Sequence, residues 1–182
     1  MGLDYSYKII IDKNEKEHLY KYLREHGTID YGDCVCIHFE MDSFILKYLE
    51  GGYDYKPHYD KIEISTHIKP DGKASIGCIY ISIKEIEGQN NEIEVSLTAA
   101  TSDMSLLFKD SVSINNWFVG LSKELNSIIT YIDMEDEGVK IIYFNGSQVD
   151  LELKSKQHLG DLRMIFFDVI KTFCDRYPHF EK

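Results

Sequence analysis

The hydrophobic positions of this chain recur with two different periods, and each change of period marks a boundary between predicted elements. A first strand is predicted over Asp4–Ile11, because β-branched and aromatic side chains fill that segment. Helical spacing from Leu19 to His26 then predicts a helix, here called helix A, which ends at Gly27.

Four further segments have the β-branched and aromatic content that is typical of strands. They are residues 34–39, 61–68, 74–86 and 92–100. The turn sequences Pro70-Asp71-Gly72 and Gly88-Gln89-Asn90-Asn91 predict that the last three of them form consecutive hairpins. Residues 42–50 fit a helix and a strand equally well.

The pattern becomes helical again after Ala100. Ser102 is predicted to cap a short turn, and Ser111 or Ser113 a longer helix B that continues to Leu125. Strands are predicted over residues 128–133, 139–144 and 148–153, joined by the turns Glu135-Asp136-Glu137-Gly138 and Asn145-Gly146. A final helix C is predicted over residues 161–177.

This order of elements predicts the α+β class, with about three helices packed on a mainly antiparallel sheet that could also be mixed. Residues 1–182 are expected to form a single globular domain, because 182 residues with 43% hydrophobic content can bury one sizeable core. The two successive strand-helix-strands units suggest an internal duplication, although no residue-level repeat supports it.

Charge bears on the class of partner. The formal net charge of −11 disfavours binding to nucleic-acid phosphates or to anionic lipid, and it favours encounter with a basic protein or serves solubility. The start of the chain lacks the basic head and apolar middle of a signal peptide, so we expect a cytoplasmic protein. No C-x-x-C pair occurs among the four cysteines, for which reduced thiols are therefore expected.

The segment Asp33–Glu40, which reads DCVCIHFE, carries two thiols and an imidazole at alternate positions. In a strand, Val35, Ile37 and Phe39 would form one face, and the thiols would lie with His38 on the other. We favour a structural role for these side chains, and the sequence predicts no metal site and no cofactor. Two alternatives stay open: a pair of metal ligands completed by His58 or His67, and a reactive thiol.

Two other clusters invite a functional interpretation. Residues 53–60, YDYKPHYD, combine aromatic side chains with carboxylates in a predicted loop, where they would hold the loop on the sheet or bind a ligand. Residues 98–108, TAATSDMSLLF, run from the end of a strand into the start of a helix. The free backbone amides at such a helix start are capped by the Ser102 or Asp103 side chain, or they bind an anion. The side chains that we expect to form a ligand or partner surface, if they converge, are Tyr5, Tyr7, His38, Ser102, Asp103 and Ser105.

The opening MGLDYSY and the segment TAATSDMSLLF resemble an uncharacterised family of bacterial proteins with a similar start and a similar junction. The resemblance covers the first seven residues and about 30 residues from Glu94 to Leu125, and residues 133–146 fit it loosely. It implies a bacterial origin, and it brings no activity, cofactor or catalytic residue.

Three classes of function remain. The first is a protein-binding module, in its sharpest form an immunity-type protein that masks a toxin through its acidic surface. The second is a small-molecule-binding protein or enzyme that uses the Ser102/Asp103 junction; it is less favoured, because no local catalytic or phosphate-binding motif occurs in the sequence. The third is an assembly role as a homodimer.

Overall fold

The computed structural model describes residues 2–51, 61–153 and 167–176. These residues form nine strands and six α-helices, and all pairs of neighbouring strands among them are antiparallel. The α+β class with an antiparallel sheet is therefore confirmed.

The strands make one sheet in the order β2-β3-β5-β6-β1-β7-β8-β9, and β4 pairs with β3 outside this path. In chain order they are β1 (Ser6–Asp12), β2 (Gly27–Asp30), β3 (Cys34–Phe39), β4 (Ala74–Ser75), β5 (Ile79–Glu85), β6 (Glu92–Ala99), β7 (Ile129–Asp133), β8 (Val139–Phe144) and β9 (Ser147–Leu153). Outward from the central β6-β1 pair, one side of the sheet runs β5, β3, β2, against the chain order, and the other side runs β7, β8, β9, in chain order. Because the two halves are connected differently, the strand order gives the suggested internal duplication no support.

Helices cover both faces of this sheet. In chain order they are α1 (Lys16–His26), α2 (Ser43–Gly51), α3 (Lys61–His67), α4 (Ser102–Asp110), α5 (Val112–Glu124) and α6 (Phe167–Arg176). Buried side chains of α1, α2, α4 and α5 pack on the first face, and those of α6 pack on the second. The protein thus has a sheet between two helical layers.

The central strand β1 contributes apolar side chains to both faces of the sheet. Tyr7, Ile9 and Ile11 belong to the first core, whereas Ile10 belongs to the second. Because successive side chains of a strand point to opposite faces, the consecutive residues Ile9, Ile10 and Ile11 serve both cores.

Several predictions are confirmed. Helix A corresponds to α1, and the hairpins through residues 88–91, 134–138 and 145–146 join β5 to β6, β7 to β8 and β8 to β9. Residues 42–50, which fitted two structures, lie mainly in the helix α2. Helix B is confirmed as α5, with Ser111 as its N-cap. The short turn predicted after Ser102 is the helix α4, whose N-cap is Thr101 and not Ser102, and α6 confirms the described part of helix C. Residues 161–166 lie outside the described part of the chain.

The strand predicted over residues 61–68 is wrong, because Lys61–His67 is the helix α3. Local β-propensity of the Ile and Thr residues is overridden by packing, since the half-buried Ile64 lies against the first core. The predicted hairpin between residues 61–68 and residues 74–86 is therefore also wrong. In its place, one isolated bridge joins Ile68 to Ala74. Residues 74–86 are themselves divided between β4 and β5, with Gly77 at φ +101° between them. Strand β2 was not predicted, and the expected number of about three helices was too low, since the described residues form six.

None of the helices within residues 2–51, 61–153 and 167–176 combines the length and the apolar character that crossing a membrane requires.

Candidate functional site

The start of the chain is held by serines of α4. Ser102 Oγ accepts a hydrogen bond from the Leu3 amide at 2.9 Å. Ser105 Oγ accepts one from the Tyr5 amide at 3.0 Å and donates one to the Leu3 carbonyl at 2.8 Å. These hydroxyls, which the sequence singled out as ligand-binding groups, therefore fasten the residues before β1 to the helix.

The two predicted tyrosines are core residues with polar tips. Tyr5 and Tyr7 are 0% and 1% exposed. The Tyr5 hydroxyl donates a hydrogen bond to Glu137, and the Tyr7 hydroxyl donates one to the Phe108 carbonyl at 2.9 Å. Burial raises the pKa of both phenols, and for Tyr5 the carboxylate of Glu137 raises the pKa further.

His38 does not join this junction. The junction residues lie around β1 and α4, whereas His38 is on β3, three strands away in the sheet order, and pairs with Ser75 of β4. Burial lowers the pKa of the His38 imidazole, and the charge of Lys69 lowers it further. The structure therefore brings together Tyr5, Tyr7, Ser102 and Ser105 around one junction, with Asp103 in the first turn of α4, and leaves His38 elsewhere.

Carboxylates gather beside this junction, at the Ser6 end of β1. The Asp4 amide donates to Glu135 at 3.3 Å, the Glu135 amide donates to Asp133 at 3.1 Å, and Asp110 is close enough to Tyr5 to raise the pKa of its phenol. We call this group the acidic patch, and its members are Asp4, Asp110, Asp133, Glu135, Asp136 and Glu137.

Two lysines enter the acidic patch. Lys109 forms a salt bridge with Glu137, and Lys8 forms one with Asp133 at 2.9 Å. Among the residues that the structure describes, no salt bridge reaches the other four members. Among the described residues, two lysines pair with carboxylates of the acidic patch of six, which leaves the described part of this end with a surplus of negative charge.

The strand expected for DCVCIHFE is confirmed, and its faces alternate as predicted. Val35, Ile37 and Phe39 are completely buried in the first core, and Cys34, Cys36 and His38 are half-buried on the other face. The expectation of four reduced thiols is wrong, because Cys34 and Cys78 form a disulfide with their Cα atoms 5.6 Å apart. The physical reason is the pairing of β3 with β5, which joins positions 44 residues apart in sequence.

Strand register gathers further polar groups around this disulfide. Asp30 of β2 pairs with Cys34, and Thr28 pairs with Cys36. The ligand atoms of Asp30, Cys34 and Cys36 all lie within 4.8 Å of one another. We call Asp30, Cys34, Cys36 and Cys78 the thiol cluster.

The Cys36 thiol is the reduced member of this cluster. Burial raises its pKa, and the carboxylate of Asp30 raises the pKa further, against smaller opposing effects of Lys69 and of a hydrogen bond with Thr28. The thiol therefore resists ionisation, which argues against a strongly activated nucleophile at this position.

Sequence reasoning singled out Cys34, Cys36 and His38 but missed the parts that Asp30 and Cys78 play. Asp30 is the last residue of β2, a strand that local patterning did not reveal, and nothing local pairs Cys78 with Cys34. His67 lies in α3, outside the thiol cluster, whereas His58 and residues 53–60 lie outside the described residues.

No protein-family model, no curated protein and no solved structure matches this chain.

Proposed function

We propose that this protein is a binding module for a basic protein partner, which it contacts through the acidic patch. The observation that carries the proposal is the surplus of carboxylates around the junction of β1 and α4, where the part of the chain that the structure describes pairs two lysines with a patch of six acids. Asp4, Glu135, Asp136 and Glu137 have exposed side chains, so a partner can approach them directly.

The patch rests on a rigid base. Tyr5 is fully buried beneath it, and its hydroxyl donates a hydrogen bond to Glu137. The Ser105 hydroxyl accepts a hydrogen bond from the Tyr5 amide and so holds the backbone just before β1. Charges held in place on a rigid surface cost little entropy to order on binding, and like charges close together attract a basic surface more strongly than dispersed ones.

An immunity-type role follows from the same physics. A protein that masks a basic enzyme needs fast encounter, and clustered charge of the opposite sign raises the association rate constant. A bacterial origin and a cytoplasmic location belong to this proposal, as does the alternative of an assembly role in a homodimer. Light scattering that gives the mass of a monomer, 21.2 kDa, would exclude the homodimer.

The proposed small-molecule role at the Ser102/Asp103 junction has less support. The Ser102 and Ser105 hydroxyls are both engaged by Leu3 and Tyr5, so a ligand would have to replace internal hydrogen bonds.

The test is affinity capture from a lysate of the source organism with immobilised protein. At about 0.1 M salt the Debye length is about 10 Å, and at about 1 M it is about 3 Å, so a partner held by the acidic patch should be retained at the lower concentration and released at the higher. The probe variant is Glu135→Gln with Asp136→Asn.

A matched control removes the same charge from the opposite end of the sheet. Glu17→Gln with Glu87→Gln also changes the net charge from −11 to −9, because each amide removes one negative charge, and both side chains are exposed. Stoichiometric capture that the probe variant loses and the control variant keeps supports the proposal. Absence of any stoichiometric partner, or equal capture by the two variants, would sink it.

A further inference from the structure

Three cysteines of this chain lie outside the apolar cores, on one face of neighbouring strands. Cys174, in contrast, is 1% exposed and belongs to the second core, as a thiol with a packing role would. Cys34, Cys36 and Cys78 are half-buried, and neither core includes them.

The register of the strands explains how they meet. Cys34 pairs with Tyr80, and Val35 pairs with Ile79. Cys78 directly precedes β5, and its disulfide with Cys34, whose Cα atom lies 5.6 Å away, holds it beside β3. Asp30 faces Cys34 from the other side, through β2.

These donors have the chemistry and the spacing of a site for a thiophilic divalent cation. Zinc takes four ligands in a tetrahedron, and Zn–S bonds of about 2.3 Å put neighbouring sulfurs about 3.8 Å apart. The donor atoms of Asp30, Cys34 and Cys36 already lie within 4.8 Å of one another. The Cys78 sulfur is bonded to that of Cys34, so reduction of the disulfide frees it as the fourth ligand beside these three, which gives a set of three thiols and one carboxylate.

We propose that, when its disulfide is reduced, the thiol cluster binds one thiophilic divalent cation of the zinc class through Asp30, Cys34, Cys36 and Cys78. The Cys34–Cys78 disulfide is then the metal-free, oxidised form of the same site. This proposal does not depend on the protein-binding role of the acidic patch, which lies at a different place on the sheet.

The chemistry balances as follows. A dithiol reductant supplies two electrons and two protons to the disulfide, which becomes two thiols while the reductant becomes a disulfide. The cation then forms three metal–sulfur bonds and one metal–oxygen bond, and three thiol protons pass to solvent. In the reverse step the reductant's disulfide takes two electrons from the Cys34 and Cys78 thiolates and two protons from solvent and becomes a dithiol again, while the Cys34–Cys78 disulfide closes and the cation leaves because two of its ligands are consumed.

The proposal is tested with the full chain, reduced by a phosphine without oxygen and titrated with Co²⁺ as a spectroscopic substitute for Zn²⁺. In this step one phosphine and one water become a phosphine oxide as the disulfide becomes two thiols. One equivalent of Co²⁺ should produce thiolate-to-cobalt charge-transfer absorption and intense tetrahedral ligand-field bands, and Zn²⁺ should abolish both. The oxidised protein of the same sequence should give neither.

Matched variants identify the ligands. Cys36→Ser should weaken Co²⁺ binding by more than the roughly 100-fold that the loss of an outer-shell partner can cost, while Cys174→Ser should leave binding unchanged. Asp30→Asn should weaken it about 10-fold or more, and Asp33→Asn, in the exposed turn next to the site, should not.

Absence of charge-transfer bands in the reduced protein would overturn the proposal, as would equal binding by the oxidised protein. If Cys36→Ser loses its circular dichroism spectrum, the comparison of Asp30→Asn with Asp33→Asn decides, and equal affinities of these two variants would also overturn it.

Discussion

One carboxylate, that of Asp42, fastens two helices that are distant in sequence, and its removal is the sharpest stability test the fold offers. Its Oδ1 atom accepts the amide hydrogen of Ile45 at 2.8 Å, in the first turn of α2. Its Oδ2 atom accepts from the Ser111 hydroxyl at 2.7 Å and from the Ser113 amide at 3.1 Å, at the start of α5.

The expected loss can be worked out from these bonds. Removing a helix cap costs about 1 kcal/mol, and the two bonds to Oδ2 add about 1 to 3 kcal/mol, since each net hydrogen bond contributes roughly 0.5 to 1.5 kcal/mol. Asp42→Ala should therefore lower the free energy of unfolding by about 2 to 4 kcal/mol. For a chain of this length that corresponds to a fall in Tm of about 4 to 16 °C.

Urea denaturation followed by circular dichroism measures this change. Asp42→Asn should lose less, because its carboxamide keeps one accepting oxygen while its NH₂ group cannot accept. Asp71→Ala is the matched control, since the Asp71 carboxylate accepts only from the Lys73 amide in an exposed turn and its loss should stay within about 0.5 kcal/mol. A loss for Asp42→Ala no larger than that of the control would refute the double-cap reasoning.

Three further predictions concern backbone space, pH and buried polarity. Gly27→Ala should destabilise the fold by about 1 to 3 kcal/mol, because the added Cβ would collide with a carbonyl of the adjacent strand. Gly120→Ala inside α5, where the nearest atom is 3.8 Å from the added Cβ, should instead stabilise the fold by about 0.5 to 1 kcal/mol. Calorimetry measures the stability of both variants, and equal changes would contradict the prediction. The pKa of His18 is raised because its ring makes a hydrogen bond with the carboxylate of Glu15 and a second one with that of Glu124. The interaction of His18 with Glu15 therefore stabilises the fold at acidic pH, and this contribution is lost as the pH rises through the raised pKa. Glu15→Gln should move the imidazole titration measured by NMR to lower pH, and an unmoved titration would disprove this cause. Ser105→Ala should cost about 1 to 3 kcal/mol, because it leaves a buried amide and a carbonyl without their partner, and a neutral effect in thermal denaturation would show that the hydroxyl does not hold the start of the chain.

Elements with a clear local pattern were predicted correctly, whereas an element decided by long-range packing was not. Strand β3 was predicted from its alternation, and the turn residues Asn145 and Gly146, both at positive φ, predicted the hairpin between β8 and β9. The helix α3 was mistaken for a strand, because β-branched residues satisfy either structure and packing against the first core decides between them.

The same division applies to the candidate sites. Ser102, Ser105 and Tyr5 were singled out as a group from the sequence, and they do meet, but their hydrogen bonds are internal. The sequence placed His38 with them, because strand order cannot be read from one chain, and the sheet order separates it from them by three strands.

By itself the sequence determined the α+β class, the alternating faces of its strands, most of its hairpins and its acidic balance, because these depend on residues close together in the chain or on composition alone. The tertiary structure alone decided which strands are neighbours, and with them the Cys34–Cys78 disulfide, the thiol cluster and the acidic patch. These contacts join residues tens to more than a hundred positions apart, and they form only when burial of two apolar cores brings the strands into register.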